Sequence, residues 1–401
     1  MAHSSRRLSL CTVMQSIVHD GPISRARIAR ETGLSKQTVG EIVSGLEIGG
    51  WVREKGRTRG HVGRTATTYE TVGTAAGVVV VDLGGTKLRA AVADLAGNIL
   101  DDVVEPTDPA GGAAVARQTA RLCRVATERN AIGWDRIKLA IVGVAGVPDA
   151  STGAVRLSPN IRGLDRINLR SSLEDALGVD VYVENDVNLA IIGEQWIGSG
   201  AGEKDLVFIA VGTGIGAGIM IGGTLVRGAA QSAGELGYLP VGADPFEAES
   251  LRTGALERVV GTIGIIRRYR DRTGEEADVP AIFDAATRGN LAASAVVDET
   301  ASHLACAITA VCATVNPAKV ILGGSIGSRP DLARRIRTIL PQCAPIPVEV
   351  ETSLLGSYAA LAGGAAVGFE KIHAMLFSDG HPGALVSLPR QDANRFRLTG
   401  Q

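Results

Sequence analysis

Residues 77–100 read GVVVVDLGGTKLRAAVADLAGNIL, and this stretch decides the fold. Val78 to Val81 are a short continuous apolar run, as expected of a strand buried on both faces. DLGGTK at 82–87 is a tight turn, LRAAVADL a second strand, and Ala96-Gly97-Asn98 turns the chain into a third. The glycine pair leaves backbone N–H groups open, and Thr86 and Lys87 add a hydroxyl and a cation. Such a hairpin can cradle a phosphate, although Gly-Gly-Thr turns also close ordinary hairpins. It is not a Walker A loop, because GxxxxGK is absent.

The pattern recurs at 206–225 in LVFIAVGTGIGAGIMIGGTL: strand, Gly-Thr-Gly turn, strand, Gly-Gly turn. A dinucleotide fingerprint is not met, and no helix follows. The chain thus shows a faint internal duplication of phosphate-type hairpins, one per half, and two such hairpins facing each other across a cleft are a more specific signal than either alone. Between them lie KLAIVGVAGVPD (138–149), LSPNIRGLD (157–165) with Asn160 in a turn, and VDVYVENDVNLAIIGEQWIG (179–198). In the last, Glu184, Asn185 and Asp186 fall at the carboxyl end of a strand, where ligands bind in open α/β sheets. Asp186 either takes a proton from a substrate hydroxyl or caps the following helix. Further on, Glu235 sits in a Gly-flanked turn as a hydroxyl acceptor or a solvated turn residue. Glu257 begins a helix, facing either cleft or water. Gly323-Gly324 ends a buried strand, suiting either a flat ligand or a plain turn.

Upstream, residues 1–72 hold 11 Lys/Arg against 6 Asp/Glu, and the remainder holds 30 against 36. A basic head on an acidic body suits a head that meets a polyanion. Residues 8–19 have helical spacing and stop at Gly21-Pro22. Ser24 caps a second helix, Gly33 supplies a turn, and Ser35 caps a third with an apolar stripe of Val39, Ile42, Val43 and Leu46. Two extended stretches around a Gly/Arg-rich tip follow. The pattern predicts a winged helix-turn-helix over 1–72. Ser35, Lys36, Gln37 and Thr38 would approach base edges and phosphates in the major groove. Arg57, Arg59, His61 and Arg64 on the wing would contact phosphate or minor groove. The alternative is a solvated basic surface on a protein-docking winged helix.

The 401 residues are 45% apolar and 21% charged with a net charge of −1, a globular composition. Aromatics at 3% argue against a carbohydrate-stacking surface. The five cysteines, at 11, 123, 306, 312 and 343, are odd in number and form no CxxC, so a disulfide framework is not expected and the cytoplasm is. No secretory signal and no apolar run of membrane-spanning length is read from the sequence. Thr71 to Ala76 reads as a linker and residues 377–401 as a loosely packed tail.

Taken together, DLGGTK (82–87), GVAGVPD (143–149), SPN (158–160), END (184–186), VGTGIGAG (211–218), AGELG (233–237), GALE (254–257) and NPAKVILGG (316–324) resemble the ROK family of sugar kinases and sugar-responsive repressors. The head resembles the winged helix of the repressor branch. The resemblance implies an actin-like, hexokinase-like two-lobed α/β body, with lobes over 73–187 and 188–376. It implies phosphate or nucleotide contacts at Asp82, Gly84, Gly85, Thr86, Lys87, Gly212, Thr213 and Gly214, with Gly323 and Gly324 on the adenosine side. Sugar contacts are implied at Asn160, Asn185, Asp186, Glu235 and Glu257, and Asp186 matches the kinases' general base. Two departures stand out. Tyr238 occupies the place of a histidine that meets both sugar and zinc. AESLRTGA at 248–255 replaces a CxCGxxGC run, leaving Ala248, Ser250 and Ala255 where cysteines would stand. No His or Cys lies anywhere in 124–302, so no zinc is expected, and Tyr238 would replace the imidazole at the sugar. The expected function is a sugar-responsive repressor that binds operator DNA as a homodimer or higher oligomer, with a sugar or sugar phosphate as effector and no membrane partner. The alternatives are a Mg-ATP-dependent hexose kinase carrying a DNA-binding head, or a body that docks another protein.

Overall fold

A computed structural model describes residues 2–57, 65–149, 152–158, 160–378 and 385–389. The N-terminal unit contains α1 (Ala2–Asp20), β1 (Ile23–Ser24), α2 (Arg25–Thr32), α3 (Lys36–Ile48), β2 (Val52–Arg57) and β3 (Thr67–Thr71). α1 starts earlier than its apolar spacing suggests, because neither Gly nor Pro interrupts residues 2–20. Ser24 accepts the N–H of Arg27 at 3.3 Å and so caps α2, which Gly33 ends at φ 71°. Ser35 caps α3 by accepting the N–H of Thr38 at 3.0 Å. The stripe Val39, Ile42, Val43 and Leu46 is buried. β3 pairs antiparallel with both β1 and β2. Arg59, His61 and Arg64 lie outside the described residues.

Residues 71–76, read from sequence as a linker, are instead packed. The Val72 N–H donates to the Trp51 carbonyl, Leu95 N–H to the Gly73 carbonyl, and Arg136 to the Thr74 carbonyl, while Ala76 is fully buried. Small side chains here serve close approach of backbone to backbone rather than freedom.

The body has two sheets of the same design. In the first, β4 (Gly77–Leu83), β5 (Lys87–Asp94) and β6 (Ile99–Pro106) form an antiparallel meander. β7 (Ile137–Val144) and β10 (Asp180–Asn185) extend it in parallel beyond β4. A short ribbon of β8 (Val147–Pro148) and β9 (Val155–Arg156) lies between, and α4 (Gly112–Glu128) and α5 (Leu169–Leu177) cover one face. In the second, β11 (Leu206–Val211), β12 (Ile215–Ile221) and β13 (Thr224–Leu225) repeat the meander, and β14 (Lys319–Gly323) and β15 (Glu349–Thr352) the parallel extension.

Helices α7 (Ala248–Thr253), α8 (Glu257–Val260), α9 (Thr262–Thr273), α10 (Val279–Thr287) and α11 (Leu291–Val315) are inserted between β13 and β14. α12 (Gly324–Gly327) and α13 (Pro330–Cys343) precede β15. α11 is long and apolar enough to cross a membrane by length and composition alone. Its Val296, Val297, Ala301, Leu304 and Ile308 are core of the second lobe.

Two helices exchange lobes. α6 (Asp186–Ile197) leaves the first sheet but packs Ile191 and Ile197 against Phe208, Met220 and Ile321 of the second. α14 (Ala359–His373) leaves the second sheet but packs Leu361, Ala365 and Phe369 against Val78, Val80 and Ile141 of the first. The division at 187/188 and 376/377 therefore separates α14 from the sheet it covers. The two helices cross tightly: a Cβ on Gly363 would run into the Leu189 carbonyl, and one on Gly193 into the Ala359 carbonyl. One apolar cluster continues from Met14, Ile17 and Trp51 of the head through Phe377 and Val386 to α14 and β4. The segment 385–389 is thus docked, not loose: Val386 is buried, Ser387 bonds Gln15 and His19 of α1, and the Pro389 carbonyl accepts Trp196 Nε1–H at 2.9 Å.

Candidate functional site

The carboxyl ends of both sheets open into one cleft of about 290 Å³. Its walls include Gly84, Gly85, Thr86, Asn160, Asn185 and Asp186 from the first lobe, and Gly212, Thr213, Gly214, Glu235, Tyr238 and Glu257 from the second. The two hairpins anticipated from sequence therefore face each other. Each closes on itself, through Gly84 N–H to Lys87 O and Gly212 N–H to Gly214 O. The N–H groups of Gly85, Thr86, Thr213 and Gly214 have no partner among the described residues. Four open amides in facing turns suit phosphate oxygens.

Four residues expected in the site do not line it. Asp82 is the last but one residue of β4, opposite Arg89 in the ladder. Burial, with Asp186 nearby, pushes its carboxyl up to about 7 against the pull of Arg89. Lys87 starts β5 with an exposed side chain. Gly323 and Gly324 are not among the lining residues; a Cβ on the first would strike the Phe208 ring, and on the second the Val211 carbonyl, so both positions need glycine where β14 packs against β11.

The question of what caps α6 has a clear answer. Asn185 does so, accepting the N–H groups of Val187 at 2.9 Å and Asn188 at 3.1 Å and donating to the Gly146 carbonyl at 2.9 Å. Asp186 is the first residue of the helix. One of its oxygens accepts the Val187 N–H, and the other has no hydrogen-bond partner among the described residues. Desolvation lifts its carboxyl to about 6, with that N–H holding it down. Glu235 has no side-chain partner among the described residues, and burial followed by Glu257 and Asp186 pushes it up to about 7. Glu257 accepts the Ile215 N–H at 3.1 Å, passing so close to Gly214 that a Cβ there would collide with it. Burial raises its carboxyl, opposed by that bond. The cleft thus places carboxyl groups, whose oxygens can accept from hydroxyls, beside open backbone donors.

Several contributors are not apparent from the sequence. Leu157 lines the cleft half exposed at φ 49°, a left-handed backbone that costs a leucine about 1–2 kcal/mol. Arg227, in the loop after β13, pairs with Glu184 at 2.7 Å and so ties the lobes together. Arg252 and Thr253 join the second-lobe wall. Arg258 orders the loop before α8, bonding Glu247 at 2.6 Å, Ser250 Oγ at 2.6 Å and Glu249 at 3.1 Å. The Ala248 and Ala255 side chains carry no donor atom and Ser250 Oγ is taken up by Arg258, so a guanidinium bonds three residues of this stretch. Such spatial pairs leave no periodic signal in a sequence.

On the head, Lys36 and Gln37 are exposed at the start of α3. Gln37 bonds Glu41 at 3.1 Å, and the Thr38 hydroxyl faces Ser35 Oγ at 2.8 Å. Lys36 and Arg57 form no ion pair among the described residues, whereas Arg53 and Lys55 are both paired with Glu70.

A model of the ROK family matches residues 78–370. A glucokinase of Halalkalibacterium halodurans is 31% identical over 71% of this chain and 93% of its own. A xylose repressor of Caldicellulosiruptor bescii is 24% identical over 79% of this chain and 83% of its own. The solved structure of a ROK family transcriptional regulator, a homolog of E. coli MLC protein, superimposes with a TM-score of 0.72 at 22% identity, covering 90% of this chain and 95% of that one. That share exceeds what residues 73–401 can supply, so the fold match extends into the N-terminal unit.

Proposed function

The chain belongs to the ROK family, and from that premise we propose that it is a cytoplasmic, sugar-responsive transcriptional repressor of carbohydrate-metabolism genes. The observation that carries this reading is the N-terminal unit: two capped helices around a Gly turn, with an antiparallel ribbon beyond, continuous in its core with the cleft-bearing body. The start of α3 enters the major groove, with Lys36 and Gln37 foremost and Ser35 and Thr38 at the phosphates. Arg57, Arg59, His61 and Arg64 follow the backbone or minor groove. The effector lies between Asn160, Asp186, Glu235, Tyr238 and Glu257, and Asn185 positions Asp186. A two-fold operator calls for a homodimer. Regulation requires that the sugar bind the DNA-competent and DNA-incompetent states with different affinity. Lobe movement about α6 and α14 would reach the head through their shared core.

A second reading, a hexose kinase bearing a DNA-binding head, is favoured by the unpartnered oxygen of Asp186 and the four open amides. Bound Mg-ATP would supply the phosphoryl group. Asp186 would accept the proton of a sugar hydroxyl, while the amides of Gly85, Thr86, Thr213 and Gly214 would hold phosphate oxygens.

The test is selection of duplexes from a random pool by the full-length protein, then calorimetric titration of sugars and sugar phosphates with and without Mg-ATP. A selected sequence released by one sugar, with saturable heat indifferent to Mg-ATP, supports the regulator. Sustained heat with sugar phosphate formed supports the kinase. Failure to enrich any duplex overturns the regulator reading.

A further inference from the structure

Asp186 and Glu235 line the cleft from opposite lobes, and one loop connects their supports. The segment from Val226 to Gly234 is fixed to β12 at both ends. The Val226 N–H donates to the Ile219 carbonyl and the Ala217 N–H to the Gly234 carbonyl, each at 2.8 Å. The Ala233 N–H closes the loop's base on the Arg227 carbonyl at 3.1 Å. From this base the Arg227 side chain crosses to the first lobe, where Nε and Nη2 meet Glu184 Oε2 at 2.9 and 2.7 Å. A second crossing runs back, from Arg156 Nη2 to the Ala230 carbonyl at 3.2 Å. The other oxygen of Glu184, Oε1, accepts the Asn185 N–H and Asn188 Nδ2, each at 3.0 Å. Asn188 is buried and its Oδ1 has no hydrogen-bond partner among the described residues, so Glu184 alone orients that amide. Lys371 of α14 stands over the Tyr182 ring at 3.7 Å and forms no ion pair with Glu184 among the described residues. The two oxygens of one carboxylate are thus divided. One serves the turn that carries Asp186, and the other holds the loop that ends at Glu235. The Glu184 side chain is only 17% exposed, and a carboxylate so far out of water depends on its cation.

We propose that Arg227 is a positioning residue for the effector site: by engaging Glu184 it holds the Glu235 loop and the Asp186 turn in one fixed relation, so that both carboxyl groups meet the same sugar. Arg227 does not itself touch the sugar. Its guanidinium is partly exposed, and each segment it joins is also anchored within its own lobe, so the pair adds little to global stability. Its effect falls on the relation between the two cleft walls, where a small displacement of one carboxyl group loses a hydrogen bond to a ligand held by the other. This inference deepens the sugar-responsive reading above and rests on it.

The experiment compares the full-length protein with its Arg227→Gln, Arg227→Lys and Glu184→Gln variants and the Arg227→Gln/Glu184→Gln double variant. Amide hydrogen exchange is measured without ligand, and pentoses, hexoses and their phosphate esters are titrated calorimetrically. Glutamine at 184 keeps an acceptor for the Asn185 N–H and Asn188 while removing the charge that Arg227 meets. In Arg227→Gln, exchange should quicken by about 3- to 10-fold in both segments, 228–235 and 185–190. Its melting temperature should stay within about 2 °C of the wild type. The sugar that binds the wild type should bind this variant about 3- to 10-fold more weakly, and Arg227→Lys should recover part of the loss. The double variant should bind no more weakly than Arg227→Gln alone, because both changes break the same pair. Quickened exchange confined to the loop, additive losses in the double variant, or unchanged sugar affinity in Arg227→Gln overturns the proposal and leaves the sugar-responsive reading intact. So does a fall of many degrees in melting temperature, which would make the pair a prop of the fold as a whole. Absence of saturable binding of any sugar to the wild type overturns both.

Discussion

At the residue scale, the cleft holds carboxyl groups whose protonation differs between folded and unfolded chains. Asp82 and Glu235 are raised to about 7 and Asp186 to about 6. Between pH 4 and 7 the native state therefore retains protons that the unfolded chain has released. The stability these groups contribute is complete below about pH 4 and is lost as pH rises through 6 to 7. Glu235→Gln removes one such group. Its melting temperature is expected to match the wild type near pH 4 and to exceed it progressively up to pH 8, read by calorimetric melting across that range. A constant gap would show that Glu235 is ionised throughout. Sugar binding should run the other way, tightening as Asp186 and Glu235 ionise. Leu157 supplies a second expectation. Relief of its left-handed backbone, about 1–2 kcal/mol, offsets the extra unfolded-state entropy of a glycine, about 0.5–1 kcal/mol. Leu157→Gly should therefore melt no lower than the wild type yet bind sugar several-fold more weakly. A melting temperature lower by several degrees would mean that the side chain contributes through packing.

At the scale of elements, two features set the cleft's shape. The loop from Glu247 to Ser250 is held by Arg258, whose side chain is buried while its carboxylate partners are half exposed. Arg258→Met keeps the stem's bulk and removes the charge. Glu247 and Glu249 can return to water, so the variant should fold with only a small fall in melting temperature. The loop around residue 247 should become the first site of limited proteolysis. Unchanged cleavage would place its ordering elsewhere. The crossing of α6 and α14 is the second feature. Valine at position 363 has no room against the Leu189 carbonyl, so Gly363→Val should destabilise the body by at least about 1–3 kcal/mol. By displacing the start of α6 it should also weaken sugar binding. Normal sugar affinity in a folded Gly363→Val variant would show that the helix crossing does not position Asp186.

At the scale of the molecule, head and body share one core. Phe377 meets Trp51 edge-on, with ring centroids 5.7 Å apart, and lies 5.4 Å from His373. The His373 imidazole is buried, its ring bonded to the Leu95 carbonyl at 2.9 Å, and burial lowers it to about 4. This aromatic run joins α14 to the start of β2. Phe377→Ala should cost about 3–5 kcal/mol, concentrated at the joint. The expected outcome is a head that melts before the body, and DNA binding that no longer responds to a sugar the cleft still binds. A single transition with intact response would mean that the coupling runs through other contacts.

The sequence by itself determined the strands, the turns between them and the duplication of the hairpin. Each is a local pattern: apolar runs the length of a strand, glycine pairs at turns, and capping serines at helix starts. It also marked residues that line the cleft, since Gly84–Thr86, Gly212–Gly214, Asp186 and Glu235 sit at the strand ends or turns that their spacing picks out. Tertiary structure decided what depends on residues far apart in the chain. It assigned the α6 cap to Asn185, withdrew Gly323, Gly324, Asp82 and Lys87 from the cleft wall, fixed the supposed linker and part of the tail, and returned α14 to the first sheet. It alone paired Arg227 with Glu184 and Arg258 with Glu247. Ion pairs, desolvation and close packing act through space, and no window of sequence contains both partners.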